Sequence, residues 1–240
     1  MLSISKVEVS VDKTSVVRGV SLRVRPGELH VLMGPNGSGK SSLAMALAGH
    51  PQYHITRGLV TIFDENILGM PPDERNKRGL FVTFQKPPAI PGVPAVSLLR
   101  AALQARSEGK VAARLVRGRA LAVARHLQLP ENIMERELFV GFSGGEAKRM
   151  ELATLLLLGA TFAVLDEPDS GLDIDGMKLI AEEIQKLLVQ HTGVLLITHN
   201  PRMLEYVAPT HIHVMREGVL VASGDIALAR QIETEGFAPF

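Results

Sequence analysis

Residues 31–43, VLMGPNGSGKSSL, constrain this chain more than any other stretch. Gly34, Gly39, Lys40 and Ser41 stand at the spacing G-x-x-x-x-G-K-[ST], directly after an apolar run at residues 29–33 and directly before a helical pattern that ends near Gly49. Glycines at these points let the backbone turn so that successive N–H groups converge on phosphate oxygens, with a helix N-terminus behind them. Gly34, Pro35, Asn36, Gly37, Ser38, Gly39, Lys40, Ser41 and Ser42 therefore form a phosphate-binding loop, with Lys40 reaching the β- and γ-phosphates and Ser41 reaching Mg²⁺. Strand, loop and helix in immediate succession predict an α/β nucleotide-binding fold.

With 240 residues and 46% hydrophobic content, the chain can fill one large α/β core and carry an inserted subdomain. Lys and Arg number 26 against 25 Asp and Glu, a net charge of +1, so nothing electrostatic supports a nucleic-acid groove or a membrane-surface patch. Cysteine is absent, which excludes disulfides and thiolate-held metal or iron–sulfur sites on this chain. The eight histidines are scattered and read mostly as surface or packing residues, His211 and His213 alternating in one strand; only His199 has a site position. Lys6, Glu8, Asp12 and Lys13 interrupt any apolar leader, and the longest charge-free apolar stretch, residues 152–165, is broken by Gly159. A spanning helix needs about 20 apolar residues, so the expectation is a cytoplasmic protein without direct membrane insertion.

Along the chain, strands are predicted at residues 4–9, 17–24 and 29–33, then a helix from Lys40 closed by Gly49 and Pro51. A strand at 58–63, a brief polar helix or turn at 73–77 and a strand at 80–84 ending in Gln85 follow. Pro87, Pro88, Pro91 and Pro94 then impose a stiff extended connection. Residues 95–159 read as wholly helical, with amphipathic runs at 98–105 and 111–127. The α/β rhythm resumes with a strand at 162–165, a helix at 176–189, a strand at 194–198 and a short helix opened by Asn200-Pro201. Strands at 211–215 and 219–222 around Glu217-Gly218 and a helix after Asp225 complete the chain. The expected organisation is a single domain, 1–240: an α/β core from 1–85 and 160–240 that includes an antiparallel β subdomain, and an all-helical subdomain at 86–159.

The predicted strand at 162–165 runs directly into Asp166 and Glu167. Adjacent strand residues face opposite sides, so two acids at the strand end can do different work. Asp166 suits Mg²⁺ and Glu167 suits orienting or deprotonating an attacking water. Ser143, Gly144, Gly145 and Glu146 open a helix, and Ser143 with Glu146 has the spacing of a capping box. That box leaves unexplained two glycines in a first helical turn, where they cost stability unless something approaches the backbone closely.

In the order phosphate loop, Gln85, helical insert, S-G-G-E, Asp166-Glu167, Ser170-Gly171-Leu172-Asp173 and His199, the chain resembles the ATPase subunit of the ABC superfamily over nearly its whole length. The resemblance implies a P-loop NTPase core and an ATP-dependent head-to-tail self-dimer. In that dimer Ser143 and Gly145, within the segment Ser143 to Glu146, would touch the γ-phosphate held by the other chain. It implies that Lys40, Glu167 and His199 carry the hydrolysis of ATP, that Ser41, Gln85 and Asp166 serve Mg²⁺, and that Ser170, Gly171, Leu172 and Asp173 form a dimer-interface loop. Within the superfamily the chain is most similar to the SufC-type ATPases of iron–sulfur cluster assembly, through Phe84-Gln85, Ile90-Pro91-Gly92-Val93, G-F-S-G-G-E at 141–146, D-S-G-L-D-I-D at 169–175 and Ser223-Gly224-Asp225. Pro168 and the short helical insert depart from that pattern.

What the SufC resemblance implies is a soluble SufB/SufD-type scaffold docked around residues 86–99, and Lys148 as a partner that restrains Glu167 at rest. The alternatives are the nucleotide-binding subunit of a membrane transporter and an idle, ATP-gated interaction module. No aromatic residue precedes Tyr53, so adenine is expected to meet aliphatic groups near Val11 or Val16 rather than a stacking ring.

Overall fold

A computed structural model describes residues 1–107 and 112–240. Alternating burial makes β1 (Leu2–Val11) and β2 (Thr14–Val24) an antiparallel pair with Leu2 opposite Val24, closed by Asp12 and Lys13 at φ of 48° and 65°. Paired left-handed residues give a two-residue hairpin the twist its strands require. After the buried strand β3 (Leu29–Met33) and helix α1 (Lys40–Ala48), β4 (His54–Ile62) pairs with the free edge of β1 and carries the short β5 (Glu65–Asn66). The first sheet has the order β2-β1-β4-β5.

Helix α2 (Pro72–Lys77) leads into β6 (Leu80–Val82), and helices α3 (Ala95–Arg106), α4 (Ala113–His126) and α5 (Gly144–Leu158) follow. Then come β7 (Phe162–Asp166), α6 (Ile174–Val189), β8 (Gly193–Ile197), α7 (Met203–Tyr206), the hairpin β9 (His211–Arg216) and β10 (Val219–Gly224), and α8 (Ile226–Glu235). The second sheet has the order β10-β9-β3-β8-β7-β6, parallel except for β10. Every residue of β3, β7 and β8 is buried, as near-continuous apolar runs in a sheet covered on both faces must be.

Helix α1 lies between the two sheets. Its sequence, KSSLAMALA, has no charge after Lys40, and Leu43 through Leu47 are all buried against β1, β2 and β4 on one side and β6 and β7 on the other. A helix apolar nearly all round belongs in an interior. A buried C-terminus must still satisfy its last carbonyls. Gly49 turns the chain at φ 79°, and the buried Arg75 of α2 donates through Nη1 to Ala46 O (2.8 Å) and Leu47 O (2.8 Å) and through Nε to Met70 O (2.9 Å).

Besides β4 running from His54 to Ile62 rather than over 58–63, and the short β5 that no pattern marked, the structure differs from the sequence reading in three places. Residues 127–143 are not helical, so the stretch 95–159 is not wholly so: Gln128 sits at φ 53° and Pro130 follows, which ends α4, and Val111 lies outside the described residues. The backbone of 127–143 is spent on the proline-rich connection instead. Ile90 N–H donates to Leu138 O, Leu138 N–H to Val93 O, Ala95 N–H to Arg136 O and Val96 N–H to Met134 O, while Leu129, Ile133, Met134 and Leu138 fill the core. Strand β6 stops at Val82 because the Phe84 N–H is taken by the Glu151 carboxylate at 2.6 Å rather than by a strand neighbour. The helix after β8 begins at Met203, since Asn200 closes a turn onto the Arg202 N–H (3.2 Å) before it.

Replacing Arg75 with Ala leaves the Leu47 carbonyl buried without a donor and Ala46 O with the Gly49 N–H alone, which costs about 1–3 kcal/mol. Urea denaturation is expected to show a lower midpoint with an unchanged slope, and an unmoved midpoint would count against this role.

Candidate functional site

The carboxyl ends of β3, β6, β7 and β8 point to one place, the position where open parallel sheets bind ligands. A cavity of about 720 Å³ opens there, lined by Asn36, Gly37, Gly39, Lys40, Ser41 and Ser42 of the loop, by Gln85 after β6, Glu167 after β7 and His199 after β8. The β9–β10 turn closes one side with Glu217 and Gly218, and β2 contributes Ser15, Val16 and Arg18. Gly34 has φ 148°, and a Cβ there would stand 2.1 Å from Met215 O; a Cβ on Gly39 would stand 2.6 Å from Val16 O. Glycine at these two positions is therefore forced by the strands that pack on the loop. Gly39 also precedes α1 without a side-chain cap, so the first N–H groups of the helix remain directed at the cavity.

Lys40 is buried and folded back, its Nζ donating to Gly34 O (2.8 Å), Pro35 O (2.9 Å) and Ser38 Oγ (3.3 Å). Burial lowers its pKa against the opposing pull of Glu167 and Asp166. Ser41 Oγ donates to Asp166 Oδ1 at 3.2 Å, and among the described residues the buried Asp166 Oδ2 has no hydrogen-bond partner. Burial pushes the Asp166 carboxyl up to about 6, against the Ser41 hydrogen bond, with the Glu167 charge adding to the rise. A serine hydroxyl beside an unpartnered buried carboxylate oxygen is the hard-oxygen donor set that suits Mg²⁺.

Glu167 takes φ 48°, which turns its side chain from the interior into the cavity; its own N–H donates to Ile197 O at 2.9 Å. Gln85 Nε2 donates to Oε2 at 2.8 Å, and His199 Nδ1 lies 2.9 Å from Oε1. Burial alone would raise this carboxyl, but the Gln85 and His199 hydrogen bonds and the charges of His199 and Lys40 hold it below its ordinary value. The surroundings of two adjacent acids thus pull in opposite directions, raising the pKa of one and lowering that of the other.

Lys148 does not contact Glu167, contrary to the expectation for the resting chain. Its buried Nζ donates to Phe84 O (2.9 Å), Gln85 O (3.0 Å) and Asp166 O (3.2 Å), and Glu151 Oε2 lies 3.8 Å away. Three carbonyls at the ends of β6 and β7 satisfy the ammonium, and Gln85 with His199 occupies the carboxylate instead. Of the candidate adenine contacts Val16 lines the cavity and Val11 does not; Arg18, Glu217 and Gly218, which no motif marked, also line it.

The S-G-G-E segment lies outside the cavity. Ser143 and Glu146 complete their capping box, Ser143 N–H donating to Glu146 Oε2 (2.7 Å) and Glu146 N–H to Ser143 Oγ (3.2 Å). A Cβ on Gly145 would meet Leu172 at 3.3 Å, whereas a Cβ on the exposed Gly144 would meet nothing within 4 Å. Asp173 caps α6 through Gly176 N–H at 2.8 Å, and Ser170, Gly171 and Leu172 line a second hollow with Asn200 and Arg202.

Residues 17–170 match the ABC transporter family, and the chain belongs to it: the protein is an ATP-hydrolysing ABC ATPase. It is 39% identical over 241 residues to the Escherichia coli (strain K12) protein named "Probable ATP-dependent transporter SufC", with 99% of this chain and 97% of that one covered. It is 41% identical over 240 residues to a Streptococcus pyogenes serotype M1 protein named "Probable ABC transporter ATP-binding protein", covering 99% and 94%. The solved dimer of a bacterial ABC transporter cassette shares the fold at a TM-score of 0.81 and 22% identity, covering 94% of this chain and 99% of that one.

The raised Asp166 pKa sets the sign of a stability prediction. Ionising a group whose folded pKa lies at about 6, above an ordinary 3.8, costs the fold nothing below 3.8 and its full amount above 6. Asp166→Asn is therefore expected to stabilise the nucleotide-free chain by about 1–3 kcal/mol at pH 8, the gain shrinking through that window. Thermal unfolding from pH 4 to 8 without divalent ions measures it; a loss of stability at pH 8 would contradict the assignment.

Proposed function

We propose that this chain hydrolyses ATP as a head-to-tail pair of copies and so drives conformational change in a soluble iron–sulfur cluster assembly scaffold. The observation that carries the paired site is the bare surface at Gly144. A glycine in a helix costs up to about 1 kcal/mol relative to alanine, less in the first turn where Gly144 stands, and among the described residues no contact at Gly144 requires one. A phosphate brought by a second copy does.

In this reading the N–H groups of the loop and of α1 receive the phosphates, and Lys40 exchanges the carbonyls of Gly34 and Pro35 for phosphate oxygens. Ser41 and Asp166 would hold Mg²⁺, with Gln85 beside them; when bound, Mg²⁺ offsets charge on the β- and γ-phosphates. Glu167 orients water for in-line attack on phosphorus and accepts its proton, while the bond to the leaving ADP oxygen breaks. His199 from the same chain and Ser143 and Gly145 from the other hold the γ-phosphate as its charge redistributes. Ser170 to Asp173 lie against the second copy. At rest Gln85 and His199 together occupy both oxygens of Glu167. Recruitment of His199 to the γ-phosphate frees Oε1 for water.

Lys40→Ala and Ser143→Arg are each expected to abolish turnover, and an equimolar mixture to regain about a quarter of the wild-type rate, since half the dimers would hold one intact site. Inactivity of a mixture shown to contain heterodimers would refute the paired site. Loss of turnover in Glu167→Gln separates an enzyme from an idle, ATP-gated module.

The iron–sulfur load is supported by similarity to SufC along 99% of the chain, and by a chain without cysteine, whose partner must supply cluster ligands. Among the described residues no helix is long and apolar enough to cross a membrane. The partner surface is the rim at 86–99, in a cytoplasmic complex with a SufB-type scaffold, alone or with a SufD-type subunit. Within it Lys86, Ala89, Pro91 and Gly92 are exposed, but Ile90 and Val93 are partly buried and tied to Leu138, so charging either would disturb packing as well. Ala89→Asp is the cleaner test. It should weaken a detergent-free complex with the scaffold at least about tenfold, 1.4 kcal/mol, with nucleotide binding unchanged. Recovery of the native complex only from detergent-solubilised membranes, with an integral membrane protein at this rim, would instead support the transporter reading that the Streptococcus pyogenes relative's name favours.

A further inference from the structure

The histidines are scattered in sequence, yet the fold gathers three of them at the opposite end of β3 from the phosphate loop. In the parallel pairing of β3 with β9, His30 stands opposite His211 and Leu32 opposite His213. Side chains two apart on a strand share a face, so His211 and His213 flank His30: its ring centroid is 4.4 Å from that of His211 and 5.2 Å from that of His213. Glu28 enters from the turn before β3, its Oε2 3.2 Å from His30 Nε2. One ligand atom from each of Glu28, His30 and His211 falls within 4.8 Å of the others, at the wall of a cavity of about 640 Å³. This is a different cavity from the one that holds Lys40 and Glu167.

We propose that Glu28, His30 and His211 bind a divalent first-row transition ion of the Zn²⁺ and Fe²⁺ class. Two imidazoles and one carboxylate with open positions toward a cavity are the donor set such ions take, and Mg²⁺ prefers all-oxygen sites. Bonds of about 2.0–2.2 Å set tetrahedral donors roughly 3.3–3.6 Å apart, a spacing that Glu28 Oε2 and His30 Nε2, at 3.2 Å, already approach. His30 is buried in β3 and Glu28, its side chain 19% exposed, is held beside it, so the exposed His211 is the member that can close on the pair.

The surrounding groups supply what a metal-bound imidazole needs on its far side. His30 Nδ1 lies 3.0 Å from His213 Nε2, and His213 Nδ1 lies 2.8 Å from Ser223 Oγ. With the ion absent, His30 donates from Nε2 to Glu28 and accepts at Nδ1 from His213. With the ion on Nε2, the ring protons shift along the chain: His30 donates from Nδ1 to His213, which donates from Nδ1 to Ser223. No proton is gained or lost, and each ring nitrogen keeps a partner. Burial lowers the pKa of both inner rings, that of His213 to about 4, so their lone pairs are not lost to protonation near neutral pH. Lys6, Arg23 and Arg25 also line the cavity; the 74% exposed Arg25 side chain donates to Glu28 Oε1 at 3.5 Å, and the Arg25 backbone N–H donates to Oε2 at 2.9 Å, which aims that oxygen at His30 Nε2.

The test is equilibrium dialysis of the full chain, stripped of metal, against Zn²⁺ and, without oxygen, against Fe²⁺. Excess Mg²⁺ and ADP keep the nucleotide site occupied. One ion per chain is expected from at least one of the two solutions. His211→Ala and Glu28→Gln should each weaken it at least about tenfold, Ser223→Ala less, and the remote His54→Ala not at all. Co²⁺ substitution should give visible absorption that His211→Ala abolishes, in protein whose circular dichroism is unchanged. Absence of a stoichiometric ion in both solutions, or an ion that both Glu28→Gln and His211→Ala retain, would overturn the proposal.

Discussion

The site depends on the seating of a loop whose N–H groups must stay unpaired while everything around it is packed. A buried backbone donor without a partner is costly, so such a loop survives only where neighbouring elements hold its shape by other bonds. Here the β9–β10 turn does so. Gly218 N–H donates to Ser38 O at 2.9 Å, Arg18 N–H donates to Gly218 O at 2.7 Å, and Met215 O and Val16 O lie where any side chain on Gly34 or Gly39 would stand. The loop is clamped between the parallel sheet and the antiparallel one. That is why α1, which starts from it, is among the most apolar helices of the chain, and why an arginine from α2 must close its far end.

A second constraint ties the phosphate end of the molecule to α5. Lys148 and Glu151, one turn apart, bond the backbone of Phe84 from both sides: the ammonium takes Phe84 O and the carboxylate takes Phe84 N–H. Burial pushes Glu151 up to about 7 against the pull of Lys148, so this pair is held by its backbone partners more than by mutual attraction. Because Lys148 also binds Gln85 O and Asp166 O, the Gln85 backbone cannot shift without breaking a bond to the helix that the S-G-G-E segment opens.

Much of this was legible in the sequence because it is local. The phosphate loop, the strand running into Asp166 and Glu167, the capping box at Ser143 and the hairpin at Glu217-Gly218 each follow from the order of a few residues, and the α/β class follows from their alternation. What was not legible depends on register between distant segments. Residues 127–143 carry a helix-like apolar pattern but spend their backbone bonds on 90–96. Arg75 reads as a surface charge until α2 is placed against the end of α1. Lys148 is near Glu167 in the motif order, yet three carbonyls capture it first. His30, His211 and His213 meet only once β3 and β9 are paired with His30 opposite His211.

The same register explains how one carboxylate comes to be held where two others are not. Asp166 ends β7 pointing into the packed layer, where among the described residues only Ser41 hydrogen-bonds its side chain; Glu167, one residue on, is past the last strand pairing and can take a left-handed turn that costs on the order of 1 kcal/mol or more. The turn is held by the bond from Glu167 N–H to Ile197 O, and because His199 follows Ile197 by two residues, the element that fixes the backbone of the acid also delivers the imidazole to its side chain. Asp169, on the next turn, is caught by Thr198 Oγ1 at 3.0 Å and stays buried with its pKa raised. The end of β8 thus sorts three acids by geometry: one left to a serine, one presented ionised to the cavity, one sealed away. Only the middle one combines exposure to the nucleotide cavity with charge at neutral pH, which is what a group that orients water requires.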